Sequence, residues 1–332
     1  MNLPKNFNWK KELPQAVETP RNQQNCRSCW VFSTLGMVGD RFCIANKLHS
    51  IYLSPLWVMS ACGEGGKLDC KECTFFSCKK MYGCQAPGNL FRLYEWLSTK
   101  EGYLKLEECW PYEEILQNKK YSLKKFFGNL DDNCCYNYCH EKNIISRVKF
   151  LPDLNYGCIY HGGELRKTYD EITELEFNQT IENIKKDIYE NGPVVCGIMK
   201  TPPFMKFWER ISYQKNFKNM IYDHEIDTSD FFNMFMKYGG HSMCIIGWEV
   251  DDKTGIEYWD VRNNYGTSLG DEGYIKIAIS RYKDKNKWTG IDIPYYNKKD
   301  NLYLGGCASY NVILDKNIDL EYLIANNIFK RI

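Results

Sequence analysis

The segment Gln23–Met37 most constrains this chain, because it predicts a loop that ends where a helix begins. Ser28 is a residue type that favours the N-cap of a helix. The Cys29 thiol would lie in the first turn, where backbone N–H groups and the helix dipole favour a thiolate, the form that attacks a carbonyl carbon. Beyond it, four apolar residues recur at helical spacing and form one stripe of a buried amphipathic helix: Val31, Leu35, Val38 and Phe42.

Length and charge exclude some broad classes of protein. The 332 residues are enough for one large domain or two smaller ones. The 43 basic and 42 acidic residues leave a formal net charge of +1, which disfavours a general nucleic-acid or membrane-surface binder. No run of about 18 apolar residues occurs, so no membrane span is predicted. The first residues show no signal-peptide pattern.

The sixteen cysteines suit an oxidising compartment with disulfides, although a reduced cytosolic protein is the alternative. A Cys-x-x-Cys pair at Cys70 and Cys73 invites a structural zinc site. Zinc would need a second close cysteine or histidine pair, and none is clear nearby. A loop cross-linked by disulfides is the stronger interpretation of this cluster, whose members are Cys62, Cys70, Cys73, Cys78 and Cys84.

The second half of the chain supplies a histidine and an asparagine. His241 opens an apolar strand after two glycines, and Asn263 follows another apolar run, with Asn264 as its rival. A lone histidine at a strand start is mostly structural. The order of a cysteine, a distant histidine and an asparagine nevertheless matches a nucleophile, its base and the group that orients the base.

Residues 1–28 look extended and irregular, because Pro4, Pro14 and Pro20 interrupt regular structure. The pattern predicts helices over 53–62, 88–100 and 181–190, and a strand over 194–199. Residues 199–240 look long and irregular, with Pro202 and Pro203 as breakers.

Three strings together resemble the active-site signatures of the papain-like cysteine proteases: Gln23–Trp30, Gly239–Trp248 and Tyr258–Tyr274. Two further strings, Asp40–Ile44 and Cys109–Tyr112, are similar to the cathepsin B branch of that family, with cathepsin Z and cathepsin C as neighbours. The resemblance covers roughly residues 3–112 and 179–312.

The resemblance implies a papain-like α+β fold of two lobes, a helical lobe and a β-barrel-like lobe with the active-site cleft between them. A peptidase domain is expected over 1–314, with a C-terminal tail over 315–332. Within the domain, the expected parts are a mainly helical lobe with cysteine-rich loops (about 1–150), an inserted surface segment (143–176) and a mainly β lobe (about 179–314).

The resemblance also implies a cysteine-type peptidase that uses no cofactor and no metal. Cys29 would be the nucleophile and His241 the general base, with the Asn263 side-chain oxygen fixing the imidazole ring and its tautomer. Gln23, rather than Gln24, would donate to the oxyanion together with the backbone N–H of Cys29.

Five positions are implied to bind substrate: Arg27, Gly88, Gly240, Tyr265 and Val312. Arg27 replaces a glycine at the wall of the S1 subsite. Gly88 takes over backbone recognition if Ala86 and Pro87 prevent it, since proline has no N–H to donate. Val312 falls at the bottom of S2, which is then apolar and prefers aliphatic or aromatic side chains.

Two aromatic positions depart from the family pattern. Tyr265 replaces a tryptophan that shields the hydrogen bond between the histidine and the asparagine, and Leu269 replaces one on the leaving-group side. Together with Arg27 and Pro87, these changes support the alternative of a catalytically weak or inactive binding protein. A redox enzyme built on Cys26-x-x-Cys29 is a third option and needs Cys26 outside a disulfide.

The expected surroundings follow from the same resemblance. The partners are peptide or protein substrates, with a pro-segment or a protein inhibitor in the cleft, and no nucleic acid. The location is a lysosome-like acidic compartment or the outside of the cell. The implied disulfides are Cys26–Cys84, Cys62–Cys135 and Cys109–Cys139.

Overall fold

The structure is a computed structural model. It describes residues 2–64, 90–100, 102–112, 144–161, 167, 171–213, 219–224, 237–282, 290–297 and 302–332. In chain order its helices are α1 (Trp9–Glu12), α2 (Cys29–Asn46), α3 (Pro55–Glu64), α4 (Leu90–Leu97), α5 (Glu174–Asn191), α6 (Pro202–Tyr213) and α7 (Leu320–Ala325). Short 3-10 turns cover Glu107–Cys109 and Ile145–Arg147.

The strands of the described residues are short except for one. In chain order they are β1 (Phe7–Asn8), β2 (Phe150–Pro152), β3 (Ile159–His161), β4 (Val194–Met199), β5 (Ile221–Tyr222), β6 (Gly240–Val250), β7 (Glu257–Arg262), β8 (Tyr274–Ala278), β9 (Tyr295–Asn297), β10 (Leu302–Leu304), β11 (Gly306–Ser309) and β12 (Val312–Leu314).

The chain divides into two compact units. The sheet unit comprises Met1–Asn22 and Ile159–Ser309, and the helical unit comprises Gln23–Cys158 and Tyr310–Ile332. The boundaries therefore differ from a simple division into a first and a second half. The first 22 residues join the sheet unit because β1 pairs with β6, which places Phe7 opposite Trp248.

The helical unit is built around α2. Every residue from Trp30 to Cys43 is buried, so the helix is enclosed on all sides. The predicted single apolar stripe is too narrow a description, because the polar residues are buried as well. Their hydrogen bonds offset the cost of burial: Thr34 Oγ1 donates to the Trp30 carbonyl at 2.6 Å, and Arg41 donates to the Tyr156 hydroxyl at 2.8 Å.

The C-terminal residues pack into the helical unit. The Phe329 ring contacts Phe42 and Phe150, with ring centroids 6.1 and 6.3 Å apart, and Phe329 is 2% exposed. The Ile332 N–H donates to the Lys47 carbonyl at 3.0 Å. The segment 315–332, expected as a tail, therefore contributes buried side chains to this unit.

The segment expected as a surface insertion supplies strands. β2 pairs antiparallel with β12 in the helical unit, and β3 pairs antiparallel with β11 in the sheet unit. Phe150 on β2 is fully buried. Within the described part of 143–176, these strands are integral to the two units.

The sheet unit contains an eight-stranded mixed sheet in the order β3-β11-β4-β6-β7-β8-β5, with β1 added beside β6. The long strand β6 lies at its centre and pairs with β4 and β7. Helix α5 begins at Glu174, seven residues before the predicted start at 181, because Thr173 and Glu176 form a capping box. Its buried face includes Ile181, Ile184 and Ile188.

Helix α6 corrects the prediction of an irregular segment after residue 199. Pro202 and Pro203 are its first two residues. Proline is tolerated in the first turn of a helix, because the N–H groups there have no acceptor within the helix. The Thr201 hydroxyl accepts from the Phe204 N–H at 3.3 Å and marks the start. This helix carries side chains to the candidate site.

Candidate active site

Cys29 is the first residue of α2, as predicted, and its side chain is half-buried. The thiol is not in a disulfide. Ser28 occupies the N-cap position, but its hydroxyl makes no capping hydrogen bond. Instead the Ser28 hydroxyl lies 3.3 Å from the Tyr112 hydroxyl, which donates to the Gln23 carbonyl at 2.8 Å. Tyr112 thus connects both ends of the loop that precedes the helix.

Gln23 lies in the same loop and is 3% exposed. Its side-chain Nε2 donates to the Cys26 carbonyl at 2.5 Å. That bond sets which end of the amide carries the nitrogen, because the carbonyl can only accept. An amide nitrogen has two hydrogens, so one donor remains after this bond. Gln24, the rival, has φ 54° and so adopts the left-handed region.

His241 and Asn263 are brought together in the sheet unit. His241 is the second residue of β6, and Asn263 follows directly after β7, the neighbouring strand. The His241 Nε2 lies 2.9 Å from Asn263 Oδ1. The same oxygen accepts from the Asn264 N–H at 2.8 Å, which fixes it as the acceptor. His241 Nε2 therefore carries the hydrogen, and Nδ1 is the acceptor in the neutral ring.

Asn264 links two strands. Its Nδ2 donates to the Ser242 carbonyl at 2.7 Å, so its side chain joins the ends of β6 and β7. The Asn263 N–H donates to the Gly273 carbonyl at 3.0 Å. The backbone on both sides of the Asn263 side chain is thereby held in place.

A buried ion pair supports the strand that ends at Asn263. Arg262 Nη1 donates to the Glu18 carbonyl at 3.0 Å, and Arg262 Nη2 lies 3.7 Å from Glu18 Oε1. Burial raises the pKa of Glu18, and the neighbouring Arg262 opposes that rise. The pair lies inside the sheet unit and ties the N-terminal segment to β7.

The electrostatics of His241 follow from its surroundings. Burial lowers the pKa of His241 to about 4 from an ordinary 6.5; the hydrogen bond that His241 donates to Asn263 opposes the shift, and the Lys200 ammonium adds to it. The imidazole is 6% exposed. An imidazole in this state is neutral near pH 7 and can accept a proton at Nδ1.

Two aromatic rings flank the imidazole. The Trp208 ring of α6 meets His241 edge to face, with centroids 5.5 Å apart, and meets Tyr265 at 5.2 Å. The Tyr265 ring lies 5.5 Å from His241 at an interplanar angle of 33°. Tyr265 therefore lies beside the histidine, and Trp208 is a second ring that sequence reasoning missed.

A signal for Trp208 existed in the sequence. Phe204, Phe207, Trp208 and Ile211 recur at helical spacing, and three of these side chains are buried in the structure. The two prolines before it obscure this helical spacing, because proline usually interrupts a helix. Lys200, just before the helix, was missed because nothing local relates it to His241.

The remaining predicted substrate residues lie in varied surroundings. Arg27 is exposed, and Gly240 is exposed at the start of β6. Val312 is buried on β12 opposite Pro152. Leu269 is buried in the core of the sheet unit. Gly88, Ala86 and Pro87 lie outside the described residues.

The cysteines separate into two states. Cys26 and Cys109 are each disulfide-bonded, which rules out the redox pair Cys26-x-x-Cys29. The resemblance implies Cys84 as the partner of Cys26, Cys139 as that of Cys109 and Cys135 as that of Cys62. These three partners lie outside the described residues, as do Cys70 and Cys73. The described cysteines that are not in a disulfide are Cys29, Cys43, Cys158, Cys196, Cys244 and Cys307.

The described residues provide neither a metal centre nor a membrane-spanning helix. Groups of three or more histidine, cysteine, aspartate or glutamate side chains placed to hold a metal are absent from that part of the chain. None of the helices described there is long and apolar enough to cross a membrane.

Comparison with known proteins decides the family. The model of the papain family cysteine proteases matches residues 3–293, most of the chain. The chain belongs to the papain family of cysteine proteases. The resemblance stated from the three sequence strings is thereby confirmed.

Relatives within the papain family are distant. A probable cysteine proteinase, 224L of Invertebrate iridescent virus 6, is 24% identical over 326 residues, which cover 86% of this chain and 64% of the viral protein. The chain thus spans less than two thirds of that relative's length. Cathepsin B-like cysteine proteinase 4 of Caenorhabditis elegans is 26% identical over 291 residues, covering 83% of this chain and 70% of the relative.

Solved structures support the fold. A procathepsin B, S9 of Trypanosoma congolense, superimposes with a TM-score of 0.54 at 19% identity and covers 94% of this chain and 79% of its own. The predicted papain-like α+β fold is confirmed, with its helices and a large mixed sheet. At this level of identity the likeness concerns the fold alone.

Proposed function

We propose that this papain-family protein is a cysteine-type peptidase that hydrolyses peptide bonds, with Cys29 as nucleophile and His241 as general base. The observation that carries the proposal is the buried hydrogen bond between His241 Nε2 and Asn263 Oδ1 at 2.9 Å. It leaves Nδ1 as the proton acceptor, which is the state that a general base needs.

The proposed reaction is acyl transfer. Cys29 Sγ attacks the peptide carbonyl carbon as its proton passes to His241 Nδ1, and the carbonyl oxygen becomes an oxyanion. His241 then protonates the departing amine, which leaves a thioester on Cys29. Water, deprotonated by His241, attacks the thioester and releases the acid and the thiol.

Two donors are proposed for the oxyanion. One is the hydrogen of Gln23 Nε2 that the Cys26 carbonyl does not take. The other is the Cys29 backbone N–H, in the first turn of α2, where N–H groups lack acceptors within the helix. Preorganised donors of this kind stabilise the charge that develops in the transition state.

The proposed substrate-binding residues are assigned by resemblance to the cathepsin B-like relatives. Arg27, Gly88, Gly240 and Tyr265 are proposed to contact the substrate peptide or protein. Val312 is proposed as the floor of an apolar S2 subsite. A pro-segment or a protein inhibitor is the proposed occupant of the substrate-binding site, and a lysosome-like acidic compartment or secretion is the proposed location.

The three disulfides implied by the resemblance belong to this proposal as well. The disulfide-bonded state of Cys26 and Cys109 supports pairs with Cys84 and Cys139. A bond from Cys62 to Cys135 completes the set.

A specific observation favours the second candidate, a weak or inactive binding protein. Burial and the Lys200 ammonium both disfavour a charged imidazole at His241. The thiolate–imidazolium pair that activates the cysteine is then less populated. A protein of this kind would bind peptides and turn them over slowly or not at all.

The deciding experiment is intact-mass labelling with a broad epoxysuccinyl probe at mildly acidic pH. We expect one adduct per chain in the natural sequence and none in Cys29→Ala. Cys158→Ala is the matched control: this half-buried thiol is also outside a disulfide, but burial and Glu95 raise its pKa to about 12, so its removal should leave the adduct intact. A folded protein that takes no adduct would favour the binding protein.

A further inference from the structure

Lys200 lies beside His241 in the sheet unit. In the antiparallel pair of β4 and β6, Ile198 is opposite His241 and Met199 is opposite Gly240. The pairing continues one step further, because the Lys200 N–H donates to the Gly239 carbonyl at 3.1 Å. Opposite residues share a face and side chains alternate along a strand. Lys200 is therefore on the same face as His241, diagonally across the strand pair.

The residue opposite Lys200 leaves room for a long side chain. Gly239 has φ +71° and no side chain, and a Cβ built there would lie 3.9 Å from Lys200 Cε. The methylene groups of Lys200 thus cover the glycine. Diagonal neighbours on a sheet are roughly 7–8 Å apart, within reach of a lysine.

The ammonium group has no carboxylate partner among the described residues, where the salt bridges involve other basic residues. Lys200 is half-buried. Its charge reaches the imidazole, since it contributes to the lowered pKa of His241. Helix α6 adds no backbone donors at its first two residues, because they are prolines. The ammonium is thus a charged donor on the same face as His241.

The chemistry of the proposed reaction indicates which part of a substrate would lie near the Lys200 ammonium. His241 hands its proton to the departing amine, so groups that flank the imidazole lie near the residues that follow the scissile bond. An extended peptide advances roughly 3.3 Å per residue. A lysine diagonal to the histidine can then reach a carboxylate on the first or second departing residue.

We propose that Lys200 is a specificity-determining residue that binds a carboxylate on the departing part of the substrate. This inference rests on the proposed function. The carboxylate can belong to an aspartate or glutamate side chain or to the free C-terminus of the peptide. Both present the same planar anion to the ammonium.

The test uses internally quenched peptides that differ only after the scissile bond. One pair has glutamate or glutamine at the first departing position with an amidated C-terminus. A second pair has glutamine there, with a free or an amidated C-terminus on the second departing residue. For at least one pair we expect kcat/KM about tenfold higher for the acid, the range of a charge-assisted hydrogen bond. The pair that responds identifies the source of the carboxylate.

Variants separate recognition from an effect on the base. Lys200→Gln should bring acid and amide to equal kcat/KM, Lys200→Glu should reverse the preference, and Lys200→Arg should keep it. Lys206→Gln, which removes an exposed lysine of α6, should change nothing. An equal loss on acid and amide in Lys200→Gln would overturn the proposal, since the charge would then act on His241 alone. Equal rates in the natural sequence would overturn it as well.

Cleavage of the neutral amide reports the proposed function separately. If the natural sequence cleaves no peptide, the same pairs are measured for binding to Cys29→Ala by calorimetry. Tighter binding of the acid that Lys200→Gln abolishes would support the role of Lys200 in a binding protein. Equal affinities for acid and amide would refute it.

Discussion

The Trp208 indole packs edge to face on the His241 imidazole, with ring centroids 5.5 Å apart. The same indole contacts Tyr265 at 5.2 Å. Family resemblance implies a shield over the hydrogen bond between the histidine and the asparagine, and a tyrosine covers less of it than a tryptophan would. In this chain a helix that begins with two prolines brings a second ring to the histidine.

Trp208→Ala should therefore open His241 to water. The pKa of His241 should rise from about 4 towards its ordinary value, because burial is the main cause of the shift. We expect the acid limb of the pH profile of kcat/KM to move to higher pH. The loss at the optimum should be about threefold to tenfold, from the lost ring contacts. Trp208→Phe should retain most of the activity.

A matched control tests whether this is a general effect of weakening α6. Ile211→Val removes one methyl group from the buried face of the same helix and should cost about 1 kcal/mol of stability. It should leave the pH profile in place. A profile that moves equally in Ile211→Val and Trp208→Ala would show that Trp208 has no specific action on His241.

Asn263→Ala should lower kcat by about tenfold or more, with a smaller change in KM. The amide oxygen selects the hydrogen on His241 Nε2 and holds the ring, and a hydrogen bond of this kind contributes roughly 1 kcal/mol or more. Steady-state kinetics on a neutral peptide amide provide the measurement. Asn264→Ser is the control. It removes the hydrogen bond to the Ser242 carbonyl and should reduce the melting temperature of the protein. If it reduced kcat as much as Asn263→Ala does, the two asparagines would not differ in role.

His241 also makes stability depend on pH. Its folded-state pKa of about 4 lies below the ordinary 6.5, so the unfolded chain binds more protons between these values and falling pH favours unfolding. Relative to His241→Gln, the natural sequence should lose roughly 3 kcal/mol of unfolding free energy between pH 7 and pH 4. Urea unfolding of both proteins at several pH values measures the difference. A difference that stays constant with pH would contradict the buried neutral imidazole.

Asp260 has the opposite dependence. Burial raises its pKa to about 6 from 3.8, while the hydrogen bond from Asn8 and the charges of Lys10 and Lys276 oppose the shift. The stability that this carboxyl contributes is complete below pH 3.8 and is lost as the pH rises through 6. Asp260→Asn should therefore stabilise the protein at pH 8 by about 1–3 kcal/mol and bring no gain at pH 3.5.

Asp251→Asn is the control with the reverse sign. Hydrogen bonds from the backbone and side chain of Thr254 lower the pKa of Asp251. Its neutralisation should therefore destabilise the protein at pH 8. Thermal unfolding of the two variants side by side would refute the assignment of Asp260 if both changed stability in the same direction.

Local sequence patterns predicted much of the fold. The helix start at Cys29, the helix that begins at Pro55 and the strand over Val194–Met199 all appear where expected. Each depends on signals a few residues apart, such as apolar spacing, a cap residue or a proline in the first turn.

The failures have a common cause. Helix α6 begins with two prolines, which the local pattern predicts as breakers although the first turn of a helix accepts them. The single stripe predicted for α2 was too narrow, because burial on every side depends on distant segments such as 310–332. Local patterns predict the type of an element and its apolar residues. They do not predict how many other elements pack around it.

The sequence by itself determined the family and the elements that carry the proposed reactive groups, because these depend on residue type and short spacing. Only the tertiary structure decided the state of those groups. Asn263 orients His241, Trp208 covers it and Lys200 stands beside it. Burial, charge and hydrogen bonding at one imidazole arise from residues tens of positions apart, and these effects become fixed only when the strands pair and α6 packs on the sheet.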